Sequence, residues 1–167
     1  PGIYDVHQTV PSGWDLTSAT CSDSSHPASI DLSAGEAVTC TFENTQQGDI
    51  TIIKNTIGGD ASFDFTSPAL GPFTLTTSGN TDSTAFTALA PGIYDVAETV
   101  PSGWDLTSAT CSDSSNPASI DLSAGEAVTC TFENTQQGDI TIIKNTIGGD
   151  ASFDFTSTAL GPFTLTT

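Results

Sequence analysis

Apolar residues recur at every second position in short runs, and clusters of Gly, Pro, Asn, Asp and Ser separate one run from the next. The runs are DITIIKN (49–55), SFDFT (62–66), PFTLTT (72–77), STAFTAL (83–89), GIYDVAET (92–99), WDLTSATC (104–111) and EAVTCTFEN (126–134). A period of two, rich in β-branched and aromatic residues, predicts strands with one face inward. No segment carries apolar residues at helical spacing over three turns. Seven short strands in about 90 residues predict an all-β fold, a two-sheet antiparallel sandwich.

The pattern repeats. Residues 1–77 return as 91–167, and only four aligned pairs differ: His7 and Ala97, Gln8 and Glu98, His26 and Asn116, Pro68 and Thr158. A period of 90 residues is a domain and not a solenoid rung, so the expected architecture is beads on a string. The polar QQGD segments, 46–49 and 136–139, lie between strand runs and serve as linkers. Residues 48–137 are then one complete repeat, 1–47 the C-terminal half of a preceding one, and 138–167 the N-terminal half of a following one. The two halves together lack a counterpart of residues 78–90. Neither is expected to bury a core alone, so each needs a neighbouring copy or repeat of the same protein. Chain continuity and strand exchange are both open as the means, and a filament is the expected result. The chain opens on Pro1 and contains no Met, so it reads as an excised piece.

Composition narrows the function. Twenty acidic residues stand against Lys54 and Lys144, for a formal net charge of −18. No basic patch exists to neutralise phosphates, which excludes nucleic acid and disfavours anionic membrane surfaces. The apolar runs are too short for membrane insertion. With 36% hydrophobic residues the chain is too apolar for an acidic disordered tail. The 28 Thr and 20 Ser fit exposed strands and turns.

Parity within the strands singles out three polar residues. Lys54 shares a face with Ile50 and Ile52, although Ile53 on the other side means that this strand alone does not fix which face is buried; more clearly, Glu98 shares one with Tyr94 and Val96, and Asn134 with Val128, Cys130 and Phe132. One reading is that each sits at a strand end and hydrogen-bonds at the edge of the core. The other is chemical: burial lowers a lysine pKa and raises a glutamate pKa, so a neutral amine and a protonated carboxyl can stand beside a carboxamide. The amine can then attack the carboxamide carbon and expel ammonia.

The order ITIIK, GIYDVAETVPSGW, TCTFENT resembles the Cna B-type, prealbumin-like (transthyretin-like) domains of bacterial surface proteins and pilins. In that family a first-strand Lys and a last-strand Asn form an intramolecular isopeptide bond, assisted by an acidic residue between them. The resemblance covers 48–137 and implies that Lys54 and Asn134 are cross-linked and that Glu98 is the catalytic acid. Gln8 replaces that acid in the preceding half-repeat. A carboxamide cannot exchange the proton, so Gln8, Asn44 and Lys144 are the unlinked equivalents.

Cys21 and Cys40, like Cys111 and Cys130, lie 19 residues apart. Pairing within each repeat is their simplest use, and buried free thiols are the alternative. A closed loop of this length contributes about 3 kcal/mol and implies an oxidising, extracellular compartment. No metal site is expected: His7 and His26 are missing from the complete repeat, and Asp60, Asp64, Asp82, Asp113 and Asp121 lack EF-hand spacing. They read as a solvated acidic face. No hydrolase, metalloprotease, P-loop or dinucleotide motif occurs, so no cofactor and no enzyme beyond a self-directed, single-turnover cross-linking is expected. The sequence thus points to a structural repeat of an extracellular fibre or adhesin stalk. A module that binds a glycan or host protein through a loop such as SDSSNPAS (112–119) is the second reading, and a transthyretin-like hydrolase is disfavoured for want of a His.

Overall fold

The computed structural model describes all residues from 1 to 167 and is all-β. Two compact units are present, Pro1–Gln137 and Gly138–Thr167.

Within the first unit, the complete repeat holds nine strands: β5 (Gly48–Ile57), β6 (Ser62–Thr66), β7 (Phe73–Thr76), β8 (Thr81–Leu89), β9 (Gly92–Tyr94), β10 (Ala97–Thr99), β11 (Trp104–Cys111), β12 (Ile120–Leu122) and β13 (Ala127–Gln136). The predicted run 92–99 is two strands, because the chain turns away at Asp95 and Val96, whose backbone N–H donates to Pro117. One sheet has the order β11-β13-β5-β8, a second β10-β6-β7, and β9 pairs with β12. All of these pairs are antiparallel except the central one: β13 and β5, the last and first strands, run parallel from Ala127–Asp49 to Thr135–Ile57. Strand β12 escapes the sequence pattern, being three residues long, although its Ile120 and Leu122 are fully buried.

The core follows the predicted parity. In β5 every even-numbered residue from Gly48 to Thr56 is buried, and in β13 Val128, Cys130, Phe132 and Asn134 are buried. The alternation puts β-branched and aromatic side chains of both sheets into one interior, each worth about 1.5–3 kcal/mol on burial. Phe65 meets Phe132 edge-on at 5.1 Å and Phe63 meets Trp104 at 5.4 Å. Trp104 is therefore a core residue.

The preceding half-repeat holds β1 (Gly2–Tyr4), paired with β3 (Ile30–Leu32), and β2 (Trp14–Cys21), paired with β4 (Cys40–Gln46). A single residue, Gln47, separates β4 from β5. Its N–H donates to Gly13 and its side chain to Asp15 Oδ1, so the junction is tied down. The second unit holds only β14 (Ser152–Phe155) and β15 (Phe163–Thr166), an antiparallel pair matching β6 and β7.

Candidate functional site

The parity that buries Ile50 and Ile52 carries Lys54 into the same interior. Its side chain, that of Asn134 and that of Glu98 are completely buried. Three strands meet here: β5 brings the amine, β13 the carboxamide, and β10, paired with β6, the carboxyl. The parallel register sets Lys54 opposite Phe132 and Asn134 opposite Thr56, so the Asn side chain reaches back along the strand toward the amine.

Lys54 Nζ donates to Asn134 Oδ1 at 2.5 Å, to the Asn55 carbonyl at 3.0 Å and to the Phe132 carbonyl at 3.3 Å. It also lies 4.3 Å from the centre of the Phe63 ring. Glu98 Oε2 is 3.9 Å from Nζ. Within this cluster three buried atoms have no hydrogen-bond partner: both Glu98 oxygens and Asn134 Nδ2. Orphaned groups of this kind are rare in a core, because each forfeits its hydration without replacement.

Burial governs the protonation. Loss of solvent pushes the Lys54 amine below the usual lysine range, while Glu98 and Glu133 pull it partly back. Desolvation raises the Glu98 carboxyl, against the Lys54 charge and the neighbouring Asn134 carboxamide. Each shift favours the uncharged form of its group, amine and acid alike.

The half-repeats display the same site in two parts. In the second unit Lys144 Nζ donates to the Asn145 carbonyl at 2.9 Å and sits 4.2 Å above Phe153, the same contacts that Lys54 makes with Asn55 and Phe63. In residues 1–47, Gln8 Nε2 donates to Asn44 Oδ1 at 2.7 Å. That oxygen corresponds to the one Lys54 engages in the complete repeat. Asn44 Nδ2 is buried without a partner, as Asn134 Nδ2 is. The contact of Phe63 and Phe153 with their amines emerges from the fold.

Both predicted cysteine pairs are disulfides, Cys21–Cys40 and Cys111–Cys130, each joining facing positions of two adjacent antiparallel strands. Several of the acidic residues accept local hydrogen bonds. Asp60 accepts from the Gly79 and Asn80 N–H groups, which hold its carboxyl below the usual range, and Asp82 accepts from Thr76 and Ser83. In the loop 112–119, Asp113 accepts from Ser115 and Asn116 from Ala118.

The fold and the site together define a prealbumin-like β-sandwich with a buried Lys, Asn and Glu between its first and last strands. A family model described as a prealbumin-like fold domain matches residues 2–46 and 50–136. The chain belongs to that family. No curated protein matches its sequence. Among solved structures, the Bacillus anthracis TIE protein aligns at 14% identity with a TM-score of 0.35, over 77% of this chain and 33% of that one. The chain thus spans about a third of that protein's length.

Proposed function

We propose that this chain is a stretch of tandem structural repeats from an extracellular surface fibre or adhesin stalk, in which the complete repeat closes a Lys54–Asn134 isopeptide bond on itself. The observation that carries this reading is the buried cluster of amine, carboxamide and carboxyl with the Asn134 Nδ2 unpaired. A static core gains nothing from that orphaned nitrogen, whereas a reaction that expels it removes the defect.

The neutral Lys54 amine attacks Asn134 Cγ while the protonated Glu98 donates toward the carbonyl oxygen. Glu98 then relays a proton from Nζ to Nδ2, the Cγ–Nδ2 bond breaks, and ammonia leaves. The products are one amide and one ammonia, with Glu98 again protonated. No external substrate is consumed and each repeat reacts once.

The bond would suit a stalk because of the parallel pair. Load enters β5 at Gly48 and leaves β13 at Gln136, so a Lys54–Asn134 link carries it directly from first strand to last. The two disulfides and the acidic, Thr-rich surface fit an oxidising, external compartment.

Intact-mass measurement tests the reading. The folded 167-residue chain should weigh one ammonia less than its disulfide-bonded sequence mass, and Glu98→Gln should restore the full mass or slow the loss on the order of 10²–10⁴-fold. Full mass in the unaltered protein would remove the proposal. The pH dependence has a defined sign: the reaction speeds up as rising pH deprotonates Lys54, at a midpoint below that of an exposed lysine. It slows again as Glu98 loses its proton above the ordinary carboxylate range. Mass-resolved time courses on refolding protein measure both limbs.

A further inference from the structure

The QQGD segment 46–49 has a linker's composition, yet each of its residues is engaged. Gln46 ends β4, and Gly48 and Asp49 open β5. Gln47, between the two strands, is half-buried; its N–H donates to the Gly13 carbonyl and its Nε2 to Asp15 Oδ1, both at 2.9 Å. Those bonds fasten it to the preceding repeat. The residues on either side of it are fastened to the following one: the Gln46 carbonyl accepts the Gly125 N–H at 3.3 Å, and the Asp49 N–H donates to the Glu126 carbonyl at 2.9 Å.

The receiving element is the turn 123–126, which joins β12 to β13. It is closed from within: the Glu126 N–H donates to the Ser123 carbonyl at 3.2 Å, and Glu126 Oε2 accepts the Ser123 N–H at 2.8 Å. Gly125 takes a left-handed φ of 72°. A Cβ there would come within 2.5 Å of Gln46 Oε1 and 2.8 Å of its Cδ, so the Gln46 side chain lies across the bare Cα. Glycine meets two demands at once here, the backbone conformation and the close approach. Just before the turn, the buried Leu122 packs against the start of β5, its Cδ1 3.0 Å from where a Cβ on Gly48 would stand.

We infer that the turn 123–126 is a docking surface for the end of the preceding repeat, and that it sets consecutive repeats at one fixed angle with no hinge between them. Turning the chain about Gln47 would break bonds to the repeat before it or to the repeat after it, so bending at the joint is opposed from both sides. The parts of the contact recur with the repeat. Gln137 donates to the Gly103 carbonyl and to Asp105 Oδ1 as Gln47 does to Gly13 and Asp15, and the turn 33–36 has the same sequence, SAGE, with Gly35 at a φ of 79°. Each repeat thus encodes both a terminal Gln pair and a turn to receive one. The joint makes no use of Lys54, Glu98 or Asn134 and stands apart from the cross-link.

Amide hydrogen exchange and nitrogen relaxation on the full 167-residue chain test the joint. Gly125 and Gly35 lie in the same turn sequence, but Gly125 has the Gln46 carbonyl as acceptor, so its amide should exchange on the order of tenfold more slowly. Amides of β4 and of β5 should report a single rotational correlation time. Inserting Gly-Ser between Gln47 and Gly48 should bring Gly125 to the Gly35 rate and give residues 14–46 a shorter correlation time than the complete repeat, whose β5 and β13 amides stay protected. Asp15→Ala, which frees the Gln47 side chain alone, should loosen the joint part of the way. Equal exchange at Gly125 and Gly35, independent tumbling of residues 14–46 in the unaltered chain, or an insertion that moves neither readout overturns the inference. If both readouts hold in a chain that has lost no ammonia, the joint is supported and the isopeptide reading fails.

Discussion

Residues 48–57 and 138–147 share the sequence GDITIIKNTI, yet the first is a ten-residue strand at the centre of a four-stranded sheet and the second forms no strand. Ile50 and Ile52 are fully buried, whereas Ile140 and Ile142 are 73% and 44% exposed. Propensity is equal in the two places. What differs is the company: β13 on one edge, β8 on the other, and β6 and β7 across the interior. The same rule explains the preceding half-repeat. Residues 7–9, the counterpart of β10, are not a strand, and β10 pairs with β6 in the complete repeat. Residues 37–39, the counterpart of the start of β13, are not a strand either, and Ala127–Thr129 pair with β5. Strands whose partners lie in their own half persist, as β2 with β4 and β14 with β15. Here β structure is a property of pairs and not of segments.

The widest separation between the two copies should come from identical substitutions. Ile52→Ala removes a fully buried side chain between two sheets and should cost about 2–5 kcal/mol in chemical denaturation of the complete repeat. Ile142→Ala in the dilute monomer should change that transition by no more than about 0.5 kcal/mol. Equal effects would mean that 138–147 is packed in solution, and would erase the distinction drawn from exposure.

Next in size are the disulfides, which separate what is local from what depends on the other half. Cys21–Cys40 forms although residues 1–47 lack a front sheet, because its two strands pair with each other. Both pairs should therefore resist thiol labelling equally in the native chain. Replacing Cys111 and Cys130 together by Ala should cost the complete repeat about 3 kcal/mol, read from the shift of its denaturation midpoint. A free thiol at Cys21 or Cys40 alone would show that pairing there needs the missing half.

How much of this could be read in the sequence follows from the same distinction. Side-chain parity is written into a strand, so alternation puts Glu98 and Asn134 in core phase, while Ile53 on the opposite side of the first strand leaves the face of Lys54 open; the structure buries all three together. Partner choice and strand direction are not written there. Nothing in DITIIKN or EAVTCTFEN says that they lie side by side and parallel, which is what brings amine and carboxamide within reach. The three-residue β12 carries no signal because IDL is too short to show a period, and the run 92–99 reads as continuous because alternation survives the turn at Asp95. The Phe63 ring beneath the amine needed the β5-to-β6 packing to be seen. The equal cysteine spacing, by contrast, was enough to pair Cys21 with Cys40 and Cys111 with Cys130, since each pair lies on adjacent strands of one half.

The smallest expected difference isolates packing from backbone conformation. Gly48 and Gly138 both follow a pair of glutamines, and neither needs a positive φ. A Cβ at Gly48 would come within 2.7 Å of the Glu126 carbonyl and 3.0 Å of Leu122 Cδ1. The carbonyl is fixed, because it accepts the Asp49 N–H at 2.9 Å, so relief requires β5 to shift from β13. A Cβ at Gly138 meets nothing within 4 Å. Gly48→Ala should therefore destabilise the complete repeat by about 1–3 kcal/mol, as overpacking does. Gly138→Ala should be neutral in the dilute monomer. Unfolding curves of the two variants at low concentration separate the effects. An unfolding transition unmoved by Gly48→Ala would show that the start of β5 has room the structure does not grant it.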